Sequence, residues 1–500
     1  MPTVFTYKFD TPVYKGDVSF ETGLFINGQF VDGSNNTTID VVNPTTGKVI
    51  TSVSEGTPQD VDRAVKAAQQ AFDTTYGLNC PGPRRRILLN NLASLLEKNA
   101  DELAAIEALD NGKAFNMARN ADVPMAVECL RYYAGWSDKL GGNVLETTEE
   151  QLTYTRHEPI GVVGQIIPWN FPLLMFIWKI GPALATGNTI VLKTSEFTPL
   201  SALRMCHLAQ EAGFPPGVLN VVTGYGNTVG NAITTHMGIY KVAFTGSTLV
   251  GRKVMEAAAK SNLKNITLEL GGKSPNIIFD DADLEQAVNW ASFGLYFNHG
   301  QCCCAGTRIF VQEKIYDEFL KRFIAKSQGV KVGDPFAADT FQGPQVSEIQ
   351  YNRIMGYIES GKKDGATVHT GGERHGNDGY FIQPTVFSDT RPDMRIVQEE
   401  IFGPVGVVIK FKDEDDVLRQ SNDSVYGLAA AVFTKDLHRA LTTAHKLKAG
   451  TVWINCYNQL NAHVPFGGFK QSGIGRELGE YALANYTEVK SIFVNLGLKI

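Results

Sequence analysis

Hydrophobic positions along the first third of the chain recur at helical spacing. In TPQDVDRAVKAAQQAF (57–72), Val61, Val65, Ala68 and Phe72 fall on one face. Thr57 stands as N-cap, Pro58 at the first helical position and Asp60 three residues after the cap. The same period runs on through RRRILLNNLASLLEKNADELAAIEALDNGK and stops near Gly112, so this third reads as helical. From Pro159 the rhythm changes. IGVVGQII, TIVLK, LNVVTG, KVAFTG and ITLELGG are short β-branched runs that predict buried strands. Helical stretches at Pro199 to Ala212 and Ser247 to Lys260 lie between them. Strand, crossover helix, strand predicts a parallel sheet wrapped by helices, an α/β fold. Ligands of such sheets bind at the carboxyl ends of the strands, where Asn170, Lys193, Gly224, Gly246 and Glu269 fall.

A second α/β block opens at PNIIFDDADLEQAVNWASFGLYFN and continues to about Glu480, with GTRIFV and AGTVWIN as further strands. Two pieces belong to neither block: LETTEEQLTYTRHEP (145–159) and YTEVKSIFVNLGL (486–498). Both predict extended, edge-type strands, either paired within one subunit or open to pairing with another chain, and the second reading makes the protein a homo-oligomer.

Composition narrows the class. Five hundred residues, 43% hydrophobic and 20% charged, suit a soluble globular protein of two large domains. A net charge of −6 without a basic block argues against nucleic acid as a partner. The run Ile166 to Leu192 carries only Lys179 as a charge, but Pro168, Pro172, Pro182, Gly181 and Gly187 break it, so no membrane span is expected. The opening MPTVFTYKFDTPVYKGD matches neither an apolar signal core nor an Arg-rich transit helix, and the expected location is cytoplasmic.

The densest candidate chemistry is FNHGQCCCAGTR (297–308), which holds three of the seven cysteines. A structural zinc site wants spaced ligands and a second pair, and His299 has no partner at such spacing. A disulfide between neighbours is strained. Buried small hydrophobes and a nucleophile with neighbours both remain open on these residues alone. A thiolate that attacks a carbonyl needs an oxyanion donor and a base. Asn170, on the Pro-flanked turn IIPWNFP, offers an amide that cannot titrate. Glu269, in TLELGGKSP, has the apolar neighbours that raise a carboxylate's pKa.

The blocks IIPWNFPLLM, FTGSTLVG, LELGGKSPN, GQCCCAGTR, EEIFGPV and PFGGFKQSGIGRELG together resemble the NAD(P)-dependent aldehyde dehydrogenase family, in that family's order and over nearly the whole chain. The likeness is to its tetrameric cytosolic and mitochondrial class, with the character of a fungal cytosolic member. It implies the aldehyde dehydrogenase fold: a Rossmann-like NAD-binding domain (1–141 and 160–270), a catalytic domain (271–480) and a small β oligomerisation arm (142–159 and 481–500).

The resemblance also implies roles. Cys303 is the nucleophile, passing through a thiohemiacetal and a thioester, with Asn170 holding the oxyanion and Glu269 activating water. Glutamate at 269 implies hydrolysis rather than transfer to coenzyme A. Lys179 and Glu477 match a proton-relay pair, or equally a buried structural ion pair. For the cofactor it implies Ile166, Trp169, Lys193, Glu196, Gly226, Thr245, Gly246, Ser247, Leu270, Glu400 and Phe402. The GSTLVG loop is not G-x-G-x-x-G and is weak by itself, although the following helix N-terminus offers N–H groups to a pyrophosphate. Glu196 favours NAD, with NADP the weaker alternative because of Lys193. Phe171, Met175, Trp178, Phe297 and Phe466 line the implied substrate tunnel, where no charged anchor is expected; Gln459 and Asn461 fall in its variable part. The expected substrate is a small aliphatic aldehyde such as acetaldehyde, and no metal is expected. A semialdehyde, aminoaldehyde or betaine-aldehyde specialist is the alternative enzyme, and a scaffold protein that has lost catalysis is the alternative outside enzymes.

Overall fold

The computed structural model of the chain describes residues 3–500. Among these residues two mixed sheets form the body. The first is eight-stranded, in the order Gly473–Ile474, Asn265–Glu269, Lys241–Thr245, Val162–Ile166, Thr189–Lys193, Leu219–Val221, Leu24–Ile26, Gln29–Val31. Its five central strands are parallel and its outer pairings antiparallel. The second is seven-stranded, in the order Thr367–Thr370, Thr385–Ser388, Val405–Phe411, Arg308–Gln312, Pro275–Ile278, Ala429–Phe433, Thr451–Ile454. All its pairings are parallel except the first. The five strands expected after Pro159 are thus the parallel centre of the first sheet. They are apolar because helices cover both faces.

The N-terminal helix is built as its sequence dictates. It spans Pro58–Thr74, Thr57 Oγ1 accepts from the Asp60 N–H at 3.4 Å, and Asp60 Oδ2 accepts from the Thr57 N–H at 3.0 Å. Such a capping box satisfies two donors that the helix itself cannot. Helices Gly82–Lys98 and Ala100–Asp110 follow, separated at Asn99.

The expectation that the first third is helical fails before residue 57. Val4–Asp10 pairs with Lys15–Glu21, and Thr38–Asn43 with Lys48–Ser54, each antiparallel. Their apolar residues alternate, Phe5 and Phe9 facing in beside Val18 and Phe20, a period of two that the helical period further on overshadows.

The stretch 166–192 is not a span. It contains the helix Pro172–Ala185, every residue of which is buried, between sheet strands. Among the described residues no helix is long and apolar enough to cross a membrane. Leu173, Phe176, Ile177 and Ile180 are wholly buried, each contributing about 1.5–3 kcal/mol. This helix is therefore a fixed wall for whatever its N-terminus faces.

The two extra pieces form one three-stranded antiparallel sheet, Thr487–Asn495 against Gln151–Pro159 against Val144–Thr148. Residues 145–159 are thus a hairpin, and the tail is its partner within the same chain.

Candidate active site

The carboxyl ends of the central strands open on a cavity of ≈ 190 Å³. All three cysteines lie in its wall, Cys303 half-buried, Cys302 and Cys304 buried. The segment before them is bent into an unusual path. Asn298 and His299 have φ of 49° and 61°, a left-handed conformation that costs non-glycine residues of order 1–3 kcal/mol. The bend is held by Asn298 Nδ2, which donates to Gln301 O (3.0 Å) and Asn170 O (2.9 Å). His299 turns away, its Nδ1 2.9 Å from the Pro344 carbonyl.

The thiols form one hydrogen-bonded group. Cys302 Sγ and Cys304 Sγ are 3.5 Å apart, and Cys304 Sγ donates to Asn458 Oδ1 at 3.1 Å. Hydrogen bonds from Cys303 and Cys304 pull Cys302 well below the usual thiol range, while the bond with Cys302 pushes Cys303 up. The group thus gives up one proton readily and resists losing a second, and that first charge belongs to the cluster.

Asn170 comes from the bend after Val162–Ile166. Its Nδ2 donates one N–H to Gln301 O at 3.0 Å, and an amide carries two. Glu269 ends strand Asn265–Glu269, two strands along, where it lies opposite Thr245, and is 6% exposed. Its Oε2 has no hydrogen-bond partner. Burial, then the charge of Glu477, raises its carboxyl well above the ordinary range. Gly467 makes room for it, since a Cβ there would come 2.8 Å from Glu269 Oε1. Behind it, buried Lys179 pairs with Glu477 and donates to Thr245 Oγ1 at 2.6 Å. This is a buried ion pair beside Glu269, so both expected roles for it share one geometry.

Aromatic side chains form one wall. Phe171 stacks on Phe297 (5.9 Å between centroids), Trp178 meets Phe466 edge-on (5.8 Å), and Met175 lies beside them. At the other side Trp169 meets Phe402 edge-on at 5.2 Å, and Phe402 has φ 62°. Thr245, Gly246, Ser247, Leu270 and Glu400 complete that side. Glu400 accepts from the Gly272 N–H at 3.0 Å, and burial raises it to about 7.

Ile166, Lys193, Glu196 and Gly226 do not line this cavity. Ile166, Lys193 and Glu196 gather at the adjoining strand ends, where Ile166 and Lys193 are register partners. Lys193 Nζ donates to Thr194 O (2.7 Å) and to Glu196 Oε2 (3.3 Å). A Cβ added at Gly226 would meet nothing within 4 Å.

Sequence reasoning missed several wall residues: Asp122, Met125, Gln350, Arg353, Asn458 and Leu460. The expectation for Gln459 and Asn461 is off by one position, since Asn458 and Leu460 face the cavity. Gln459 donates to the Tyr457 carbonyl instead, and Asn461 lines a small side hollow with Met125 and Trp178. Asp122 does place a carboxylate in the tunnel wall, contrary to expectation, but it is paired with buried Lys113.

Comparison with known proteins agrees with this geometry. Residues 30–492 match the aldehyde dehydrogenase family. Aldehyde dehydrogenase of Agaricus bisporus is 70% identical over 500 residues, 100% of both chains. The mitochondrial aldehyde dehydrogenase of Homo sapiens is 55% identical over 481 residues, 95% of this chain and 92% of that one. The NAD+ complex of aldehyde dehydrogenase from Bacillus cereus superposes with a TM-score of 0.94 at 52% identity, covering 96% of this chain and 97% of that one. Betaine aldehyde dehydrogenase from Staphylococcus aureus in complex with NAD+ also reaches 0.94, at 43% identity, covering 96% of this chain and 95% of that one. A cysteine-bearing loop, a buried carboxylate and an amide meet in one apolar cavity of this fold, and the chain belongs to the aldehyde dehydrogenase family, oxidoreductases that act on aldehydes.

Proposed function

We propose that the protein oxidises small neutral aldehydes, acetaldehyde among them, to carboxylic acids with NAD, and that Cys303, Asn170 and Glu269 do the chemistry. The observation that carries this reading is a half-buried thiol, Cys303, in an apolar cavity that also holds a protonation-prone Glu269 whose Oε2 has no partner. The Cys303 sulfur, as the thiolate that takes on the cluster's one negative charge, bonds to the carbonyl carbon as the C=O π bond opens, and the oxygen becomes an oxyanion held by the Asn170 amide and the Cys303 N–H. What a nicotinamide supplies there is acceptance of a hydride from the thiohemiacetal carbon, which leaves a thioester. Glu269 then takes a proton from water as that oxygen attacks the thioester, the C–S bond breaks, and the acid departs.

The residues present fit a dinucleotide. The N-terminus of helix Thr248–Lys260 is capped by exposed Ser247 and preceded by Gly246, so its N–H groups face open space suited to a pyrophosphate. Glu196 offers a carboxylate to the adenosine ribose hydroxyls and repels a 2′-phosphate, while Lys193 beside it leaves NADP as a weaker ligand. Glu400 and the Trp169–Phe402 pair suit the nicotinamide end. Residues 1–141 with 160–270 are then the cofactor unit, 271–480 the catalytic unit, and 142–159 with 481–500 an oligomerisation arm. Exposed Val489, Phe493 and Leu496 on that arm support a homo-oligomer, a tetramer in our reading. Seven free cysteines support a reducing compartment, and we read it as the cytoplasm.

The test is NADH formation from acetaldehyde and NAD in the absence of coenzyme A, run beside NADP and betaine aldehyde. Turnover with acetaldehyde and NAD, exceeding both alternatives, is expected. Preference for the cationic aldehyde would overturn the substrate reading. Silence towards every aldehyde would overturn the catalytic one.

The Lys179–Glu477 pair gives a second expected result. Glu477 raises the Glu269 carboxyl and Lys179 lowers it. Glu477→Gln removes the repelling charge and frees Lys179 towards Glu269. The rising limb of kcat against pH is therefore expected to move to lower pH, by about one unit. An unmoved limb would assign Lys179 and Glu477 to structure alone.

A further inference from the structure

Asn170 sits in a bend whose two ends are tied down from one place, the end of helix Ala100–Asp110. Asn111 Nδ2 donates to the Trp169 carbonyl at 2.7 Å, just before Asn170. Glu107 Oε1 accepts from the Leu173 N–H at 3.1 Å, just after it. Leu173 is the second residue of helix Pro172–Ala185, so its N–H has no partner inside that helix. Glu107 and Asn111 are wholly buried.

A buried carboxylate is a costly way to cap one N–H, and it needs support of its own. Burial raises the Glu107 carboxyl, and Lys113 counters this, with its Nζ 3.6 Å from Oε2. The same ammonium pairs with Asp122 and lies 4.4 Å from the centroid of the Phe171 ring, the residue after Asn170. Replacing such an ion cluster by apolar side chains is often neutral or stabilising, so stability alone is a poor account of it. What the cluster fixes is direction: it clamps the bend before and after the Asn170 amide, which meets Cys303's loop at Gln301 O.

We propose that Glu107 and Asn111 are positioning residues that hold the Asn170 amide where the oxyanion forms, with Lys113 keeping Glu107 in place. This rests on Asn170 being the oxyanion donor. Misplacing a catalytic group by about 1 Å costs about 10²-fold in rate. Because the amide acts on a charge that appears only as the sulfur adds, the loss falls on kcat more than on KM.

The test is a double-mutant cycle on the full-length enzyme with acetaldehyde and NAD, using Glu107→Met, Asn170→Ala and the pair. Glu107→Met is expected to lower kcat about 10²-fold with KM changed less than about 3-fold, and to cost almost nothing further once Asn170 is alanine. Glu107→Gln keeps an acceptor for the Leu173 N–H and is expected to restore most of the loss. NAD affinity, read by tryptophan quenching, and alkylation of Cys303 by iodoacetamide, which forms no oxyanion, are expected to stay near wild type. If Glu107→Met fails to fold, Asn111→Ala takes its place in the cycle, with a loss of about 10-fold. Additive losses would overturn the proposal, as would a folded Glu107→Met or Asn111→Ala with wild-type kcat. Wild-type kcat in Asn170→Ala would overturn the reading of Asn170, and the positioning role with it.

Discussion

Cys303→Ala is expected to abolish aldehyde oxidation, by at least about 10⁴-fold in kcat, while NAD still binds. The size follows from chemistry rather than from packing. Without a sulfur at this position no thiohemiacetal forms, and no neighbouring group replaces it. Cys302 and Cys304 are buried and point into each other at 3.5 Å, with Cys304 committed to Asn458. Their alanine variants therefore retain turnover, lowered by about 10-fold at most through the loss of donors to the shared thiolate. The measurement is a pre-steady-state NADH burst for all three variants, with mass spectrometry of the peptide that carries the cysteines. A burst that survives in Cys303→Ala but vanishes in Cys302→Ala or Cys304→Ala would move the nucleophile by one position.

Glu269→Gln is expected to separate the two halves of the reaction. Thioester formation needs no base at 269, so the NADH burst persists. Hydrolysis loses its general base, and steady-state turnover falls about 10³-fold as acyl-enzyme accumulates on Cys303. The pH dependence has a definite sign. Burial and Glu477 raise the Glu269 carboxyl, and only the carboxylate can take a proton from water. Wild-type deacylation therefore rises with pH through that raised pKa, and the variant loses this limb. A linked effect concerns stability. A carboxyl with a raised pKa in the folded state favours folding fully only below its unfolded pKa, and that contribution is lost as pH rises through the folded value. At pH 9 the glutamine variant is expected to melt a few degrees above wild type, a gap that closes at acid pH. Equal melting at both pH values, with an unchanged burst-to-turnover ratio, would remove Glu269 from the base role.

The parallel strands were legible because they are buried on both faces and so read as continuous β-branched runs. Val162–Ile166 and Thr189–Lys193 are examples. The N-terminal strands were not, because Val4–Asp10 is half exposed and its alternation is short. The candidate catalytic residues stood out because each sits in an unusual local context, such as Asn170 between prolines. The wall residues Asp122, Met125 and Leu460 carry no such mark. They reach the cavity only through packing of Val123–Trp136 and the loop after Thr451–Ile454 against Pro172–Ala185. The clamp on Asn170 was hidden for the same reason: Glu107 and Leu173 are 66 residues apart and meet only in the folded chain.

The three-stranded arm also sets an order of events during synthesis. Glu158 and Lys490 pair across the arm although 332 residues separate them. At about 5–20 residues per second the ribosome needs roughly 17–66 s to deliver the second strand after the first. Throughout that interval the edge of Gln151–Pro159 that Thr487–Asn495 will occupy has no partner strand. A polypeptide released early by a premature stop before Thr487 would keep that edge permanently, and such an edge is a template for chain-to-chain pairing. Its loss would therefore register as a problem for chaperones and proteases before it registered as a loss of catalysis.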